Sequence, residues 1–424
     1  MDVIVLLGVF VLLLFAGIPI AFALGISSLT YLMIAGIPLT IVPQRFYAGM
    51  DKFVLLCIPG FILAGNLMNA GNITHHIIRF SDALFGHVRG GLGLANVGGS
   101  MIFGGISGTA IADTTSIGAV MIPGMAKAGY DKPFAAAVTA ASSTVGPMIP
   151  PSVPMIIVGS LTGISVGKMF LAGAIPGLLL GLGMMLTTYF LAVRRNYPKG
   201  AAFSMRRVLR EGKGAFWALL LTFIVLHGII GGIFTPTEAS IVASVYALIV
   251  GMFVYKGLTM KQIPKLLMDT VIGTAALMAL VGMASVFAWI LASEQIPQLL
   301  ADGILGITTN PILVILGINL LLLFVGSFME TIAALIILFP TLLGVAEKVG
   351  MDPVHFAVMA VLNLMIGLTT PPVGVCIFVA AEIAETPLQK VVKAIVPYLL
   401  CNVCVLALVA YLPGISLWLP NLFE

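Results

Sequence analysis

Apolar residues fill most of the chain in long runs, and polar residues gather at the breaks between them. In the first half the runs cover residues 3–43, 53–71, 92–126, 133–149, 152–166 and 169–193. In the second they cover 214–233, 238–255, 270–293, 297–308, 311–346, 353–368, 373–384 and 391–412. A helix needs about 20 apolar residues to cross the bilayer core. Several runs are shorter than that or are broken by Gly and Pro. Residues 92–126 and 311–346 are long enough for a helical hairpin, apolar on both sides of a Gly/Ser tip, followed by a further element. Lipid offers no partner to freed backbone groups, so such breaks must be buried in protein or line a cavity.

Composition sharpens this picture. Of the 424 residues 60% are hydrophobic and 8% charged, and the mean hydropathy is +1.17. A soluble domain carries roughly 25% charged residues. So little charge cannot cover a water-facing surface, which predicts an all-α integral membrane protein. The 47 glycines and 24 prolines are many for simple spanning helices; they predict re-entrant hairpins and Pro-broken helices. Cys57, Cys376, Cys401 and Cys404 sit in apolar runs and read as buried, inert thiols. The N-terminus lacks the basic lead of a secretory signal, so the first apolar run is expected to be retained as a span.

Charge then sets the orientation. In residues 194–213, Arg194, Arg195, Lys199, Arg206, Arg207, Arg210 and Lys213 stand against one acid, Glu211. The positive-inside rule makes this connector cytoplasmic. Arg206, Arg207, Arg210 and Lys213 have the spacing of an interfacial amphipathic helix. A connector this short, flanked by membrane runs, reads as a topology signal and not as a nucleic-acid surface. Nothing basic precedes Arg45 or follows Lys393, so both termini are expected on the periplasmic side. Each half, 1–193 and 214–424, then crosses the membrane an odd number of times.

The halves also repeat. Asp113-Thr114 recurs as Glu330-Thr331, and Pro123 as Pro340, at an offset of 217. Gly129, Asp131, Gly146, Pro150-Pro151, Ile156 and Pro176 recur as Gly350, Asp352, Gly367, Pro371-Pro372, Ile377 and Pro397, at an offset of 221. A four-residue insertion between Pro340 and Gly350 would explain the change. An odd number of crossings per half favours inverted repeats, whose broken segments mark the binding site of a secondary transporter.

The candidate chemistry lies at those breaks. Gly104 to Ser116 is rich in small and hydroxylated residues, including Ser107, Gly108 and Thr109, and holds the carboxylate of Asp113. Its partner runs from Ser142 to Ser152 through Thr144, Gly146, Pro147 and Pro150-Pro151. Proline interrupts a helix and frees carbonyls. Carbonyls and hydroxyls together make a hard-oxygen site for a small cation such as sodium, and a half-helix N-terminus offers positive dipole to an anion. Gly326, Ser327 and Glu330, facing Gly367, Thr369, Thr370 and Pro371-Pro372, repeat the arrangement. Two clusters imply two sodium sites. These segments contain no Arg or Lys, so an anionic substrate would rely on dipoles, hydroxyls and bound cations. Thr109, Asp113, Ser152 and Glu330 are the residues expected to face it. For Asp113 and Glu330, cation binding, proton carriage and helix capping all stay open. Thr235-Pro236-Thr237-Glu238 reads as a capped helix start.

Enzymatic readings are weaker. Gly105-Ile106-Ser107-Gly108 matches the G-x-S-G of intramembrane serine proteases, but none of the five histidines lies in a motif that would supply a base. There is no H-E-x-x-H and no Walker loop. No catalytic residue and no organic cofactor are expected.

Four strings, Ile106-Ser107-Gly108-Thr109-Ala110-Ile111-Ala112-Asp113, Met148-Ile149-Pro150-Pro151-Ser152, Phe234-Thr235-Pro236-Thr237-Glu238-Ala239 and Thr369-Thr370-Pro371-Pro372-Val373-Gly374, together resemble the large permease subunit of tripartite ATP-independent periplasmic (TRAP) transporters. The resemblance runs over essentially the whole chain. It implies a bacterial inner-membrane protein with a scaffold and an elevator-type transport domain, driven by a sodium gradient. It implies two partners: a small four-helix membrane subunit, expected as a separate polypeptide, and a soluble periplasmic substrate-binding protein. The substrate it implies is an organic acid, whether dicarboxylate, sialic acid, sugar acid or keto acid. It places the cation sites at Ser107, Gly108, Thr144, Gly146 and Pro147, and at Gly326, Ser327, Gly367, Thr369 and Thr370. The competing reading is a stand-alone sodium/anion symporter that needs no binding protein.

Overall fold

The computed structural model describes residues 2–423, and its regular elements are all helical apart from one isolated bridge between Arg89 and Lys199. The first apolar run is not a single span. Gly17, at φ +78°, turns the chain so that α1 (Asp2–Phe15) packs back on α2 (Ile20–Ile34). At 1.5 Å per residue each is about 22 Å long, short of the roughly 30 Å hydrocarbon core. The short α3 (Ile41–Met50) follows, then α4 (Cys57–Ala70) and the amphipathic α5 (Ile73–Phe85). The run over 92–126 holds the expected hairpin, α6 (Gly91–Ser107) and α7 (Ala110–Lys127), whose two arms fill it and leave no room for the further element expected there. Next comes a broken helix: α8 (Lys132–Ser142), a single 3-10 turn at Gly146–Met148, and α9 (Val153–Thr162).

The 29-residue α10 (Val166–Arg194) leads into the basic connector, which is shorter than the charge pattern suggested. No separate interfacial helix forms. Arg206, Arg207, Arg210 and Lys213 instead lie in the first turns of α11 (Met205–Ile230). No proline falls between Met205 and Ile230, so the polar start and the apolar run propagate as one helix. Arg207 pairs with Asp82 of α5, which ties this polar end down.

Thr235 and Glu238 form a reciprocal capping box that opens α12 (Pro236–Ile249). The 31-residue α13 (Ile263–Ser293) and α14 (Ile296–Ile307) precede a second hairpin, α15 (Pro311–Gly326) and α16 (Thr331–Lys348). A second broken helix, α17 (Pro353–Gly367) and α18 (Val375–Ile383), follows, and α19 (Leu388–Tyr411) and α20 (Gly414–Leu422) close the chain. Among the described residues, eight helical stretches are long and apolar enough to cross a membrane.

The halves interlock. The second half's α18 packs on α7 and α8, while the first half's α9 packs on α16 and α17. Every residue from Phe134 to Ser142 and from Val354 to Gly367 is buried. Exposed apolar side chains lie farther out, such as Phe22 on α2, Phe190 on α10 and Ile272 on α13. The first Gly- and Pro-rich break thus sits inside the protein, where protein replaces lipid as its surroundings, whereas the second is buried at Gly367 and Thr369 but exposed at Pro371, Pro372 and Val373.

Candidate functional site

At the first tip α6 ends on Ser107, and Gly108 takes φ +63°, a left-handed cap that glycine adopts without strain. The Gly108 carbonyl accepts the Val153 N–H at 3.4 Å, which joins the tip to the start of α9. Thr109 caps α7, its hydroxyl accepting the Ala112 N–H at 3.4 Å. Opposite the tip, Ser142 Oγ lies 2.9 Å from Ser100 Oγ, and Thr144 Oγ1 donates to the Ala141 carbonyl at 2.8 Å. Pro147 brings no N–H to the Ser143 carbonyl, so the helix ends in the 3-10 turn that begins at Gly146. Ser152 caps α9 by accepting the Met155 N–H at 3.3 Å. A Cβ on Gly104 would stand 2.1 Å from Gly146 Cα, so backbone meets backbone there. Ser107, Gly108, Thr109, Thr144, Gly146, Pro147 and Ser152 therefore share one region, buried except at the half-buried Thr109.

The second tip turns differently. Ser327 follows α15, donates its hydroxyl to the Phe324 carbonyl at 2.7 Å, and accepts the Gly374 N–H on its own carbonyl at 3.4 Å. Glu330 Oε2 caps α16, accepting the Ile332 and Ala333 N–H groups at 2.8 and 3.1 Å. Thr369 and Thr370 donate to the Ile366 carbonyl at 2.9 and 2.8 Å. A Cβ on Gly367 would lie 2.6 Å from Gly326 Cα, repeating the backbone contact of the first half. Asn363 Nδ2 donates to Asn319 Oδ1 at 2.7 Å, where Ser142 meets Ser100 in the first half.

These caps revise the register read from the sequence. Both α7 and α16 have 18 residues, and their N-caps Thr109 and Glu330 are 221 apart (330 − 109), like Gly146 and Gly367. The tip carbonyls of Gly108 and Ser327 are 219 apart (327 − 108). The second tip is thus two residues longer, and no four-residue insertion follows Pro340. Asp113 and Glu330 are not equivalent positions: Glu330 corresponds to Thr109, and Asp113 to Ala334. The offset of 217 matched a helix-interior acid to a cap.

Asp113 is fully buried and caps nothing. Among the described residues no well-formed hydrogen bond satisfies either of its carboxylate oxygens, although the Ser100 side chain approaches them, and none satisfies the buried Ser107 hydroxyl. Its surroundings are Ser100, the Gly146 backbone, and Cys376 at the start of α18, which in turn lies against Thr114 and Ser143. The second segment of that half's broken helix, α18, therefore begins beside the first half's acid. Cys376 is buried as expected, like Cys57, whereas Cys401 is half-buried and Cys404 exposed on α19; the place of Cys376 beside Asp113 and the Ser100–Ser142 and Asn319–Asn363 pairs escaped the sequence reading. Asn96 and Ser100, four apart in an apolar run, were the available signal, since they share a helix face. No group of three or more His, Cys, Asp or Glu converges among the described residues. Hydroxyls, carbonyls and one carboxylate suit a hard monovalent or oxygen-loving cation far better than a soft metal.

The fold is a known one. It matches the YdaH transporter of Alcanivorax borkumensis with a TM-score of 0.63 over 90% of this chain and 89% of that one, at 15% identity. The sequence defines the family. The model of the tripartite ATP-independent periplasmic transporter, DctM component, matches residues 7–415, and the chain belongs to this family of TRAP large permease subunits. It is 44% identical to the sialic acid TRAP transporter large permease protein SiaM of Vibrio cholerae, over 97% of this chain and 96% of that one. It is 38% identical to the C4-dicarboxylate TRAP transporter large permease protein DctM of Pseudomonas aeruginosa, over 94% of each.

Proposed function

We propose that this chain is the membrane subunit of a sodium-coupled importer of an organic acid, served by a periplasmic binding protein and paired with a small four-helix membrane subunit in a bacterial inner membrane. The orphaned Asp113 carboxylate and Ser107 hydroxyl carry this reading. Buried polar groups without well-formed hydrogen bonds are costly, and both are of the hard-oxygen kind that a small cation satisfies.

One sodium ion is assigned to Ser107, Gly108, Thr144, Gly146 and Pro147, with Asp113 beside them. A second is assigned to Gly326, Ser327, Gly367, Thr369 and Thr370. Thr109, Ser152 and Glu330 start three half-helices, α7, α9 and α16, within the protein centre. The positive ends of those helices would meet the carboxylate of the substrate. The named substrates of the relatives support a sialic acid or a C4-dicarboxylate as the cargo class. The two halves act as inverted repeats, with the connector cytoplasmic and both termini periplasmic. The interlocked tips and breaks form the moving unit of an elevator, and α4 with the α12 and α13 that pack on it, which meet the hairpins at α6 and α16, belong to its scaffold.

The test is uptake of labelled sialic acid and succinate into proteoliposomes holding this chain and its small subunit. Uptake that requires both the binding protein and an inward sodium gradient is the expected result. Uptake without binding protein would replace it with the stand-alone symporter, and sodium-independent uptake would remove the cation assignment.

A further inference from the structure

A cleft of about 440 Å³ opens between the amino end of α8, the carboxyl end of α10 and the start of α19. Asp131, Lys132, Arg195, Lys390 and Lys393 line it. Two of its four cations are engaged, Arg195 with Asp131 and Lys132 with Glu385, each at 3.4 Å. Tyr197 also donates to Asp131 at 2.7 Å, which draws further on that acid. Lys390 and Lys393 are exposed, and neither meets an acid among the described residues. Lys390 sits in the first turn of α19, where the helix dipole disfavours a cation. Helix stability therefore does not account for it.

What lies below the cations narrows the ligand. On α19, Val396, Leu400 and Val403 follow Lys393 at three-, seven- and ten-residue steps, on the same face, and all are exposed. On α10, Leu186, Phe190 and Val193 form an exposed stripe that runs toward Arg195. The two helices pack side by side, since a Cβ on Gly183 would lie 2.7 Å from Cys401 Sγ. A free phosphate would use the cations alone. A phospholipid would use the cations with its headgroup and the stripes with its chains.

We propose that this cleft binds the headgroup of an anionic phospholipid, with the phosphate held by Lys390, Lys393 and Arg195 and the acyl chains along α10 and α19. Placing that lipid in the cytoplasmic leaflet rests on the orientation proposed above, because Arg195 belongs to the basic connector. Basic pockets between membrane helices on that side recognise such headgroups.

The experiment titrates the full chain, purified with its small subunit in detergent, with phosphatidylglycerol or phosphatidylcholine, and counts bound lipid by native mass spectrometry. Phosphatidylglycerol should bind at least about tenfold more tightly, and Lys390→Gln/Lys393→Gln should weaken it roughly 10- to 30-fold. Millimolar inorganic phosphate should leave the lipid in place, and Arg206→Gln/Arg210→Gln should bind as the parent does. Should the double variant melt early, Lys393→Gln alone is read against the same expectation. Equal binding of the two lipids, or undiminished binding by the Lys variants, would overturn the site. So would an equal loss in the Arg206/Arg210 variant, which means a diffuse field, or displacement by phosphate, which means a soluble-anion site. No transport is measured, so failure of the importer reading would leave this result standing.

Discussion

Between α6 and α7 the chain turns on Gly108 and caps the next helix with the Thr109 hydroxyl; between α15 and α16 it takes two more residues and caps with the Glu330 carboxylate. Each half therefore holds one acid near its tip, but the two acids are in different states. Glu330 Oε2 is committed to two backbone N–H groups, while the buried oxygens of Asp113 have the Ser100 side chain near them and no well-formed hydrogen bond. The position matching Asp113 in the second half is Ala334, which has nothing to ionise. Equal charge counts thus conceal unequal capacity. The caps occupy one oxygen of Glu330 and none of Asp113, so a cation of the kind proposed would find more of a carboxylate in the first half, and chiefly hydroxyls and carbonyls in the second.

Neutralising the two acids separately should pull the tips apart most strongly. Asp113→Asn is expected to lower apparent sodium affinity in proteoliposome uptake by on the order of 10- to 100-fold, the range seen when a metal site loses a supporting group. Its melting temperature should hold or rise, because a buried carboxyl group without a well-formed hydrogen bond is replaced by a neutral amide of the same shape. Glu330→Gln should do the reverse, leaving sodium dependence near the parent's and lowering stability. Unchanged sodium dependence in Asp113→Asn would show that the first site is built without its acid.

The next contrast concerns what the tips share. Gly104→Ala and Gly367→Ala each drive a methyl into facing backbone, at 2.1 and 2.6 Å, which cannot yield as a flexible side chain could. Each should cost about 1–3 kcal/mol, read as a drop in melting temperature. Gly124→Ala and Gly344→Ala meet nothing within 4 Å and lie in the helices on the far side of the same tips. They should be neutral or stabilising by up to about 1 kcal/mol. If all four behave alike, close backbone approach is not what holds tip to break.

The hairpins and breaks were legible because Gly/Ser tips and Pro-Pro pairs interrupt long apolar runs in a way no spanning helix tolerates. The register was not. Asp113-Thr114 and Glu330-Thr331 look alike as strings, yet one lies inside a helix and the other opens one, and tip length leaves no mark on composition. The same limit applied to residues 3–43, where the turn at Gly17 divides a seemingly continuous run, and to Arg206–Lys213, where helical spacing could not show that the helix continues to Ile230. Cys376 was beyond reach for another reason. Its neighbours Asp113, Thr114 and Ser143 come from the other half of the chain, through an interlock that no local pattern encodes.

The smallest effects test the caps themselves. Thr109 accepts a single long bond at 3.4 Å, whereas Glu330 accepts two at 2.8 and 3.1 Å with an acidic side chain. Thr109→Ala should therefore cost about 0.5–1 kcal/mol and Glu330→Ala about 1–2 kcal/mol in thermal or denaturant unfolding. Asp is as good a cap as any residue, so Glu330→Asp should restore most of the lost stability. Uptake then decides what the second acid does. If Glu330→Asp recovers stability and transport together, the carboxylate works as a cap, and the asymmetry between the tips stands. If it recovers stability while transport stays low, Glu330 has a second task that depends on its reach, and the tips are more alike than their hydrogen bonds indicate.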